Sequence, residues 1–172
     1  DRGGRYNFPS NHPLDLTGAD SELLAEADLV LALNVKDLFG ALSTRDAATH
    51  GSNSRLADST RIIQVSLWEQ RIRGWTTDIQ RIPQVDMVIP ADTSVALPQM
   101  VAACREALGV NGSQSRLQER RARLTERHDQ MRAEWQARSQ ETAEQRPVAV
   151  PKLAADLWEC FKGEDWALVG GN

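Results

Sequence analysis

The stretch Asp28-Leu29-Val30-Leu31-Ala32-Leu33 decides the fold class of this chain. Apolar residues follow one another here, without the alternating polar positions of a half-exposed strand. Such a short continuous run is typical of a strand that is buried on both faces of a parallel sheet. The segment before it, from Ala19 to Ala27, predicts a helix, because Asp20 or Ser21 can cap its first free N–H groups. A helix followed directly by a buried strand indicates an α/β domain.

Two further apolar runs repeat this pattern along the chain. Ile62-Ile63-Gln64-Val65 and Val85-Asp86-Met87-Val88-Ile89 each follow a polar or helical segment. The polar stretch 43–60 has no apolar period and predicts a surface loop. From Val95 to Leu108 the pattern is that of an amphipathic helix covering one sheet face, and Gly109 predicts its end. The alternation predicts a parallel sheet flanked by helices.

The composition changes in the second half of the chain. The segment from Ser113 to Gln145 is rich in arginine and acidic residues and has few apolar positions. Its apolar residues fall near one side of a helix: Leu117, Leu124, Met131 and Trp135. This spacing predicts a long solvated helix with one narrow apolar seam, which needs a surface to lie on. Pro147 and Pro151 then interrupt the pattern, and 152–161 predicts a second, short amphipathic helix.

The overall composition excludes several classes of protein. Of 172 residues, 41% are hydrophobic and 26% are charged, as in soluble globular domains and unlike disordered chains. The net charge of -4 gives no electrostatic reason to bind nucleic acid. The two cysteines, Cys104 and Cys160, form no CxxC pair and only three histidines accompany them. We therefore expect neither a metal site nor a disulfide framework.

The distribution of apolar residues also bears on location. No run reaches the roughly 18–20 apolar residues of a membrane helix, and the N-terminal residues contain no apolar signal core. We therefore expect a cytoplasmic protein with no membrane partner. The sequence begins at Asp1 without an initiator Met, and it ends at Asn172 where an apolar stretch runs into a glycine turn. Both ends indicate a segment of a longer chain.

One ordered set of short motifs resembles a known enzyme family. The set starts with Arg5-Tyr6-Asn7-Phe8-Pro9-Ser10-Asn11-His12-Pro13-Leu14, continues with Gly18, and ends with Leu24-Ala25-Glu26-Ala27-Asp28-Leu29-Val30-Leu31. This order is similar to the middle domain of thiamine-diphosphate-dependent enzymes of the acetolactate-synthase and 2-oxo-acid-decarboxylase type. In that domain, Phe-Pro and His-Pro turns and a later glycine precede a helix, an Ala-Asp pair and a buried strand. The likeness covers about residues 1–110, with a weaker match at 151–172.

The resemblance implies a domain organisation and a reaction class. Residues 1–110 would be the central Rossmann-like α/β domain, with truncation of its first strand left open as an alternative. Residues 111–150 would be a helical linker, and 151–172 the beginning of the C-terminal cofactor-binding domain. The full-length parent would cleave or form a carbon–carbon bond next to a carbonyl, as a decarboxylase or as a carboligase. Its missing N- and C-terminal domains would be the partners of this segment, and the parent would be a homo-oligomer.

The resemblance also implies which groups perform the chemistry, and these groups lie outside this sequence. The parent would hold thiamine diphosphate and Mg²⁺, and the cofactor itself supplies the carbanion chemistry. The Gly-Asp-Gly and Asn-Asn motif that binds the diphosphate through Mg²⁺ is absent, as is the first domain with its catalytic glutamate. We therefore expect no catalytic residue and no metal ligand in this chain. Alone it would be inactive, with a scaffold and interface role.

The carboxyl ends of the predicted strands are where ligands bind in open parallel sheets. The polar residues near those ends form the candidate nucleotide seat: Asn34, Asp37, Ser66 and Asp92. Some members of the family carry FAD or an ADP group in this domain. Here Ser66 and Trp68 stand where nucleotide-binding relatives tend to have aspartates, and no GxGxxG follows a strand. Cap and turn roles are therefore the main expectation for these residues, and FAD or ADP binding is the alternative.

A different class of function stays open on the sequence alone. A free-standing nucleotide-binding or protein-interaction α/β module with a helical arm would need no flanking domains. The apolar seam of the long helix allows either a homodimer contact or packing against other domains of an enzyme. The substrate, and the choice between decarboxylase and carboligase, are not encoded in these residues.

Overall fold

Residues 8–9, 11–67, 81–111 and 114–166 are described by the structure, a computed structural model. The elements within these ranges are α1 (Asp20–Glu26), β1 (Leu29–Leu33), α2 (Leu38–Ala41), β2 (Ser43–Arg45), β3 (Ser52–Ser54), β4 (Arg61–Val65), β5 (Met87–Ile89), α3 (Thr93–Asn111), α4 (Gln114–Glu141) and α5 (Val150–Phe161). No helix in the described part of the chain combines the length and the apolar character needed to cross a lipid bilayer.

The three apolar runs pair as a parallel sheet in the order β1, β4, β5. β1 pairs with β4 from Leu29 opposite Arg61 to Leu33 opposite Val65. β5 adds to the other side of β4, with Val65 opposite Ile89. The predicted α/β class with a parallel sheet is confirmed, at the level of three strands among the described residues.

The polar residue inside the third run has a defined place where β4 and β5 begin to pair. Asp86 Oδ2 accepts a hydrogen bond from Ile62 N at 2.8 Å, and Asp86 N donates to Ile62 O at 3.0 Å. One residue thus supplies both a donor and an acceptor to the backbone of β4. A buried backbone N–H without an acceptor is costly, so this carboxylate stabilises the start of the strand pair.

The polar stretch 43–60 contains a short antiparallel hairpin, which the sequence analysis did not predict. β2 pairs with β3, and Asp46 N donates to Gly51 O across the connection at 3.0 Å. Asp46 Oδ1 accepts from the backbone N–H groups of Ala48 and Thr49, at 2.9 and 3.3 Å. These local bonds to one aspartate, and not an apolar period, organise the turn, so a hydrophobic pattern could not indicate it.

A hydrophobic cluster lies on one face of the sheet. Its buried side chains are Ala32, Leu38, Leu42 and Ile62, with Leu24, Val30, Val35, Leu56 and Val85 packed against them. The sheet contributes Val30, Ala32 and Ile62, while α1 contributes Leu24 and α2 contributes Leu38. Full burial of one such aliphatic side chain stabilises a protein by roughly 1.5–3 kcal/mol. This cluster therefore joins α1 and α2 to the sheet.

The other face of the sheet is half open. Leu29 and Leu31 are 49% and 41% exposed, whereas Ala32 on the core face is 3% exposed. Met87 of β5 is 53% exposed. The expectation that the first apolar run is buried on both faces is wrong for β1, because Leu29 and Leu31 keep much of their surface exposed, although Val65 of β4 on the same face is fully buried. Burial instead alternates along β1, as the two-residue period of a strand requires.

α3 runs antiparallel to β1. Asn34 Nδ2, just after β1, donates to Thr93 Oγ1 at the start of α3, at 3.1 Å. Towards the other end of the helix, Leu108 lines a cleft together with Asp28, the residue before β1. The helix continues past Gly109, so the predicted end at that residue is wrong. Gly109 does not adopt the left-handed backbone conformation with which a glycine ends a helix.

α4 and α5 form the helical extension that the sequence predicts. α5 begins with Pro151 in its first turn, where the missing N–H would have no helical partner in any case. Within the predicted seam of α4, Met131 is buried, while Leu117 and Trp135 are exposed. A Cβ placed on Gly18 would lie 3.9 Å from Met131 Sδ and 3.9 Å from Trp135 Cζ2. The end of the seam formed by Met131 and Trp135 therefore docks on the loop before α1 of the same chain.

Substitution at neighbouring positions of β1 should separate the two faces of the sheet. We expect Ala32→Asp to cost several kcal/mol, because the new carboxylate would be buried without a partner beside Leu38 and Ile62. Against a total stability of roughly 5–15 kcal/mol, this change brings the domain close to unfolding. Leu31→Asp places the same carboxylate on the half-open face and should cost about 1–2 kcal/mol. Equal losses in urea denaturation would show that position 31 is as deeply buried as position 32.

Candidate functional site

The carboxyl ends of the three strands lie at one edge of the sheet, as their parallel pairing requires. Asn34 N donates to Val65 O at 2.9 Å, which joins the end of β1 to the end of β4. Ser66 N donates to Ile89 O at 3.2 Å, which joins the end of β4 to the end of β5. Two candidate residues, Asn34 and Ser66, thus lie at the edge where ligands bind in open sheets, and Asp92 follows β5 at the same edge.

Asn34 links the end of β1 to the start of α3. Its backbone has φ 50°, a left-handed conformation that asparagine adopts more readily than most other residues. This turn directs the side-chain amide towards Thr93, whose Oγ1 accepts from Asn34 Nδ2 at 3.1 Å. The amide of Asn34 therefore has a structural partner within the chain.

Asp92 caps the N-terminus of α3. Its Oδ1 accepts from Ser94 N at 2.8 Å and from Ser94 Oγ at 2.6 Å. These hydrogen bonds favour the charged carboxylate and lower the pKa of Asp92 below the usual range of an aspartic acid. The N-terminus of a long helix attracts anions, but here a carboxylate of the chain already occupies that position. A phosphate group at this end of α3 would face a negative charge.

Asp37 caps the N-terminus of α2. Its Oδ1 accepts from Gly40 N at 2.9 Å. A Cβ on Gly40 would overlap the Asp37 carboxyl group, so a larger residue at this position would push the carboxylate away from the cap. The next residue, Leu38, is buried in the core. Asp37 is thus positioned by α2 and the core, and its carboxylate serves the backbone of that helix.

Ser66 differs from the other candidates because it is buried. Only 4% of its surface is exposed, and its neighbour Gln64 is similarly covered. A ligand could reach the Ser66 hydroxyl only if the surrounding chain moved apart. Trp68, the other residue of interest after β4, lies outside the described residues. The candidate nucleotide seat is therefore a set of capping, turn and buried groups at and near the strand ends.

The His-Pro motif near the N-terminus forms a turn. His12 Nδ1 accepts from Leu14 N at 3.1 Å, and His12 N donates to Pro9 O at 3.0 Å. The ring of Phe8 meets the His12 ring edge-on, with 4.9 Å between centroids.

Across the described ranges, no group of three or more His, Cys, Asp or Glu residues is placed to hold a metal ion.

A second concave region, which no sequence motif predicted, lies near the amino end of β1. The cleft has a volume of about 550 Å³ and is lined by Asp28, Leu108, Arg116, Leu117, Glu119, Arg120 and Arg123. The spacing of the arginines on α4 indicates one wall of this cleft, since positions three and four apart share one helix face. The opposing carboxylate could not be assigned, because Asp28 and Arg120 are 92 residues apart in sequence.

An ion pair defines one wall of this cleft. Arg120 NH2 lies 3.1 Å from Asp28 Oδ2. The hydrogen bond and the positive charge of the guanidinium lower the pKa of the Asp28 carboxyl. Both side chains are more than half exposed, so solvent screens the pair. The cleft is therefore a charged surface feature at the junction of α3, α4 and β1.

Comparison of the whole chain with known proteins adds no relative to this description. No family model, no curated protein and no solved structure matches it.

The cap on α3 should be visible as a low-pH titration. Because the pKa of Asp92 is lower in the folded state, its contribution is complete above the unfolded pKa of about 3.9. That contribution is lost as the pH falls through the lower folded-state pKa. We expect the amide signal of Ser94 in NMR spectra to follow this titration. Asp92→Asn should preserve the cap and abolish the titration, whereas Asp92→Ala should fray the first turn of α3. A Ser94 amide that responds identically in all three proteins would rule out the cap.

Proposed function

We propose that this chain is the central domain of a thiamine-diphosphate-dependent enzyme of the acetolactate-synthase or 2-oxo-acid-decarboxylase type. It would also contain the linker and the beginning of the C-terminal domain. The observation that carries the proposal is the order of short motifs: Phe8-Pro9, His12-Pro13, Gly18, α1, Ala27-Asp28 and β1. The hydrogen-bonded turn at His12 and the parallel sheet that contains β1 are compatible with that middle domain.

In the proposed parent, the reaction cleaves or forms a carbon–carbon bond next to a carbonyl. Thiamine diphosphate supplies an ylid that stabilises the carbanion, and Mg²⁺ joins the diphosphate to carboxylate and amide oxygens of the protein. The sequence contains no Gly-Asp-Gly followed by Asn-Asn, the motif with which this family binds the metal. We therefore assign cofactor binding and catalysis to the flanking domains of the parent.

The strand-end residues support a scaffold role for the central domain. Asn34 bonds to Thr93, while the carboxylates of Asp37 and Asp92 cap the helices α2 and α3. An adenine nucleotide would bring phosphates to the same edge, where Asp92 already occupies the N-terminus of α3. We therefore propose that this domain works without FAD or ADP.

The helical extension supports the assignment of a linker and a following domain. α4 has 28 residues, which corresponds to a length of about 42 Å at 1.5 Å per residue. It leads to α5, which has no buried residue and exposes one apolar side. Leu153, Leu157 and Phe161 on that side are 48%, 42% and 42% exposed. An amphipathic helix of this kind is expected at the beginning of a unit with its own core.

We place the parent in the cytoplasm as a homo-oligomer.

The apolar side of α5 is also the observation that favours a second candidate function. A free-standing protein-interaction module would use such a helix as its contact surface. This alternative predicts a polypeptide that works without thiamine diphosphate. The two functions therefore differ in what accompanies the chain in its source organism.

Purification of the native polypeptide should decide between them. An antibody raised against the α4 sequence should isolate a polypeptide longer than this chain that contains thiamine diphosphate, detected as thiochrome fluorescence. It should also release CO₂ from a 2-oxo acid or join two such acids, and chelation of the metal should abolish the activity. A native polypeptide of only these residues, without thiamine, would refute the enzyme and favour the interaction module.

The isolated chain provides the matched control. Calorimetry with thiamine diphosphate and Mg²⁺ should detect no 1:1 binding, because the groups that hold the cofactor are assigned to other domains. A dissociation constant in the micromolar range, about -8 kcal/mol, would mean that this assignment is wrong.

A further inference from the structure

Three arginine–carboxylate pairs join α4 to the segment formed by α1 and the residue before β1. We call these six residues the latch: Arg120 with Asp28, Arg123 with Glu26, and Arg127 with Glu22. The nitrogen–oxygen distances of the first two pairs are 3.1 and 3.0 Å. The partner positions recede along α1 as the arginines advance along α4, so the two helices run antiparallel.

The spacing of the latch makes it one continuous strip. The three arginines are separated by three and four residues, which places them on the same face of α4. Glu22 and Glu26 are one helical turn apart on α1. Each arginine therefore meets a different carboxylate, and the strip extends over two turns of α4.

Apolar contacts secure only one end of this strip. His128 and Met131 are 5% and 7% exposed, and Met131 and Trp135 lie beside Gly18. Leu117, at the opposite end of α4, is 41% exposed. The half of α4 that carries Arg120 and Arg123 is therefore held by ion pairs together with the half-buried Leu124, while the buried Met131 anchors the other half.

Solvent reaches every side chain of the latch. Arg127 is 33% exposed, and the other five side chains are 53% exposed or more. Exposed ion pairs contribute little individually and are screened by salt. The Debye length falls from ~30 Å at about 0.01 M salt to ~3 Å at about 1 M, which is the separation of the paired atoms. Raising the salt concentration from about 0.01 M to about 1 M therefore screens this contact strongly.

We propose that the latch is a salt-sensitive strap that sets how firmly α4, and α5 attached to it, is held against α1. At low ionic strength the three pairs hold the arm on the α/β unit. At high ionic strength the charged half of α4 separates, and the apolar anchor at Met131 is left to hold it alone. The direction in which α5 presents its apolar side then varies with the ionic environment. This inference goes beyond the proposed function and does not depend on it.

The two native cysteines permit a direct test on the unmodified chain. Cys104 on α3 and Cys160 on α5 are both exposed, and neither belongs to the latch. Spin labels on these thiols report the distance from α3 to the end of the arm. We expect one narrow distance population at about 0.01 M NaCl and a second, broader one at about 1 M. The ratio of released to docked arm should rise about tenfold, which corresponds to roughly 1.4 kcal/mol shared among three exposed pairs.

Charge reversal separates the latch from a general effect of salt. Arg123→Glu should release the arm already at low salt, and combining it with Glu26→Arg should restore docking through a reversed pair. Arg132→Glu is the matched control, since it makes the same charge change at an exposed position of α4 outside the latch. It should leave the distance population of the parent chain unchanged. Sedimentation should confirm a monomer, and circular dichroism should confirm equal helix content.

Several results would overturn the proposal. A distance distribution of the unmodified chain that does not change between the two salt concentrations would do so without any variant. The same holds if Arg123→Glu behaves like Arg132→Glu, or if the double variant remains released although it is folded. In each case the pairs would be incidental surface contacts, and the apolar anchor alone would position the arm.

Discussion

The parallel pairing of β1 with β4 is the contact on which the described structure depends. Parallel neighbours cannot be joined by a tight turn, so the chain between them must cross over the sheet. That crossover, residues 34–60, contains α2 and the β2–β3 hairpin, and its Leu38 and Leu42 return to cover Ala32 and Ile62. At the start of the pair, Thr60 Oγ1 donates to Ala27 O at 2.7 Å and Arg61 N to Asp28 O at 3.1 Å. The same register places the ends of both strands at one edge.

At that edge, the same polar side chains could bond either to a ligand or to neighbouring groups of the chain. A ligand at the carboxyl ends of strands needs free donors and acceptors. Here Asn34, Asp37 and Asp92 direct theirs to Thr93, Gly40 and Ser94 within the chain. Each bond satisfies a backbone group or stabilises a turn at the point where a strand gives way to a helix. At this edge the side chains of Asn34, Asp37 and Asp92 thus act as caps and turn residues within the chain.

The chain uses two different forces for its two parts. The sheet and its helices are joined by an aliphatic cluster, which responds weakly to salt. The long helix α4 lies against α1 through exposed ion pairs and a small apolar anchor. Exposed pairs are weak and screened by salt, whereas an aliphatic cluster is not, so the two contacts differ in their response to ionic strength.

The sequence by itself determined the α/β class, the parallel sheet and the helical extension, because continuous apolar runs and helical periods are local patterns. It also indicated cap and turn roles for Asn34, Asp37 and Asp92, since short polar side chains bond to nearby backbone groups. Only the tertiary structure decided that Leu31 is half exposed and Ala32 buried, which depends on the face that α2 covers. The hairpin at Asp46 and the pairing of Arg123 with Glu26 could not be predicted from the sequence pattern either. The hairpin depends on individual hydrogen bonds, and the ion pair joins residues 97 positions apart. A periodic pattern of apolar residues contains no information on either.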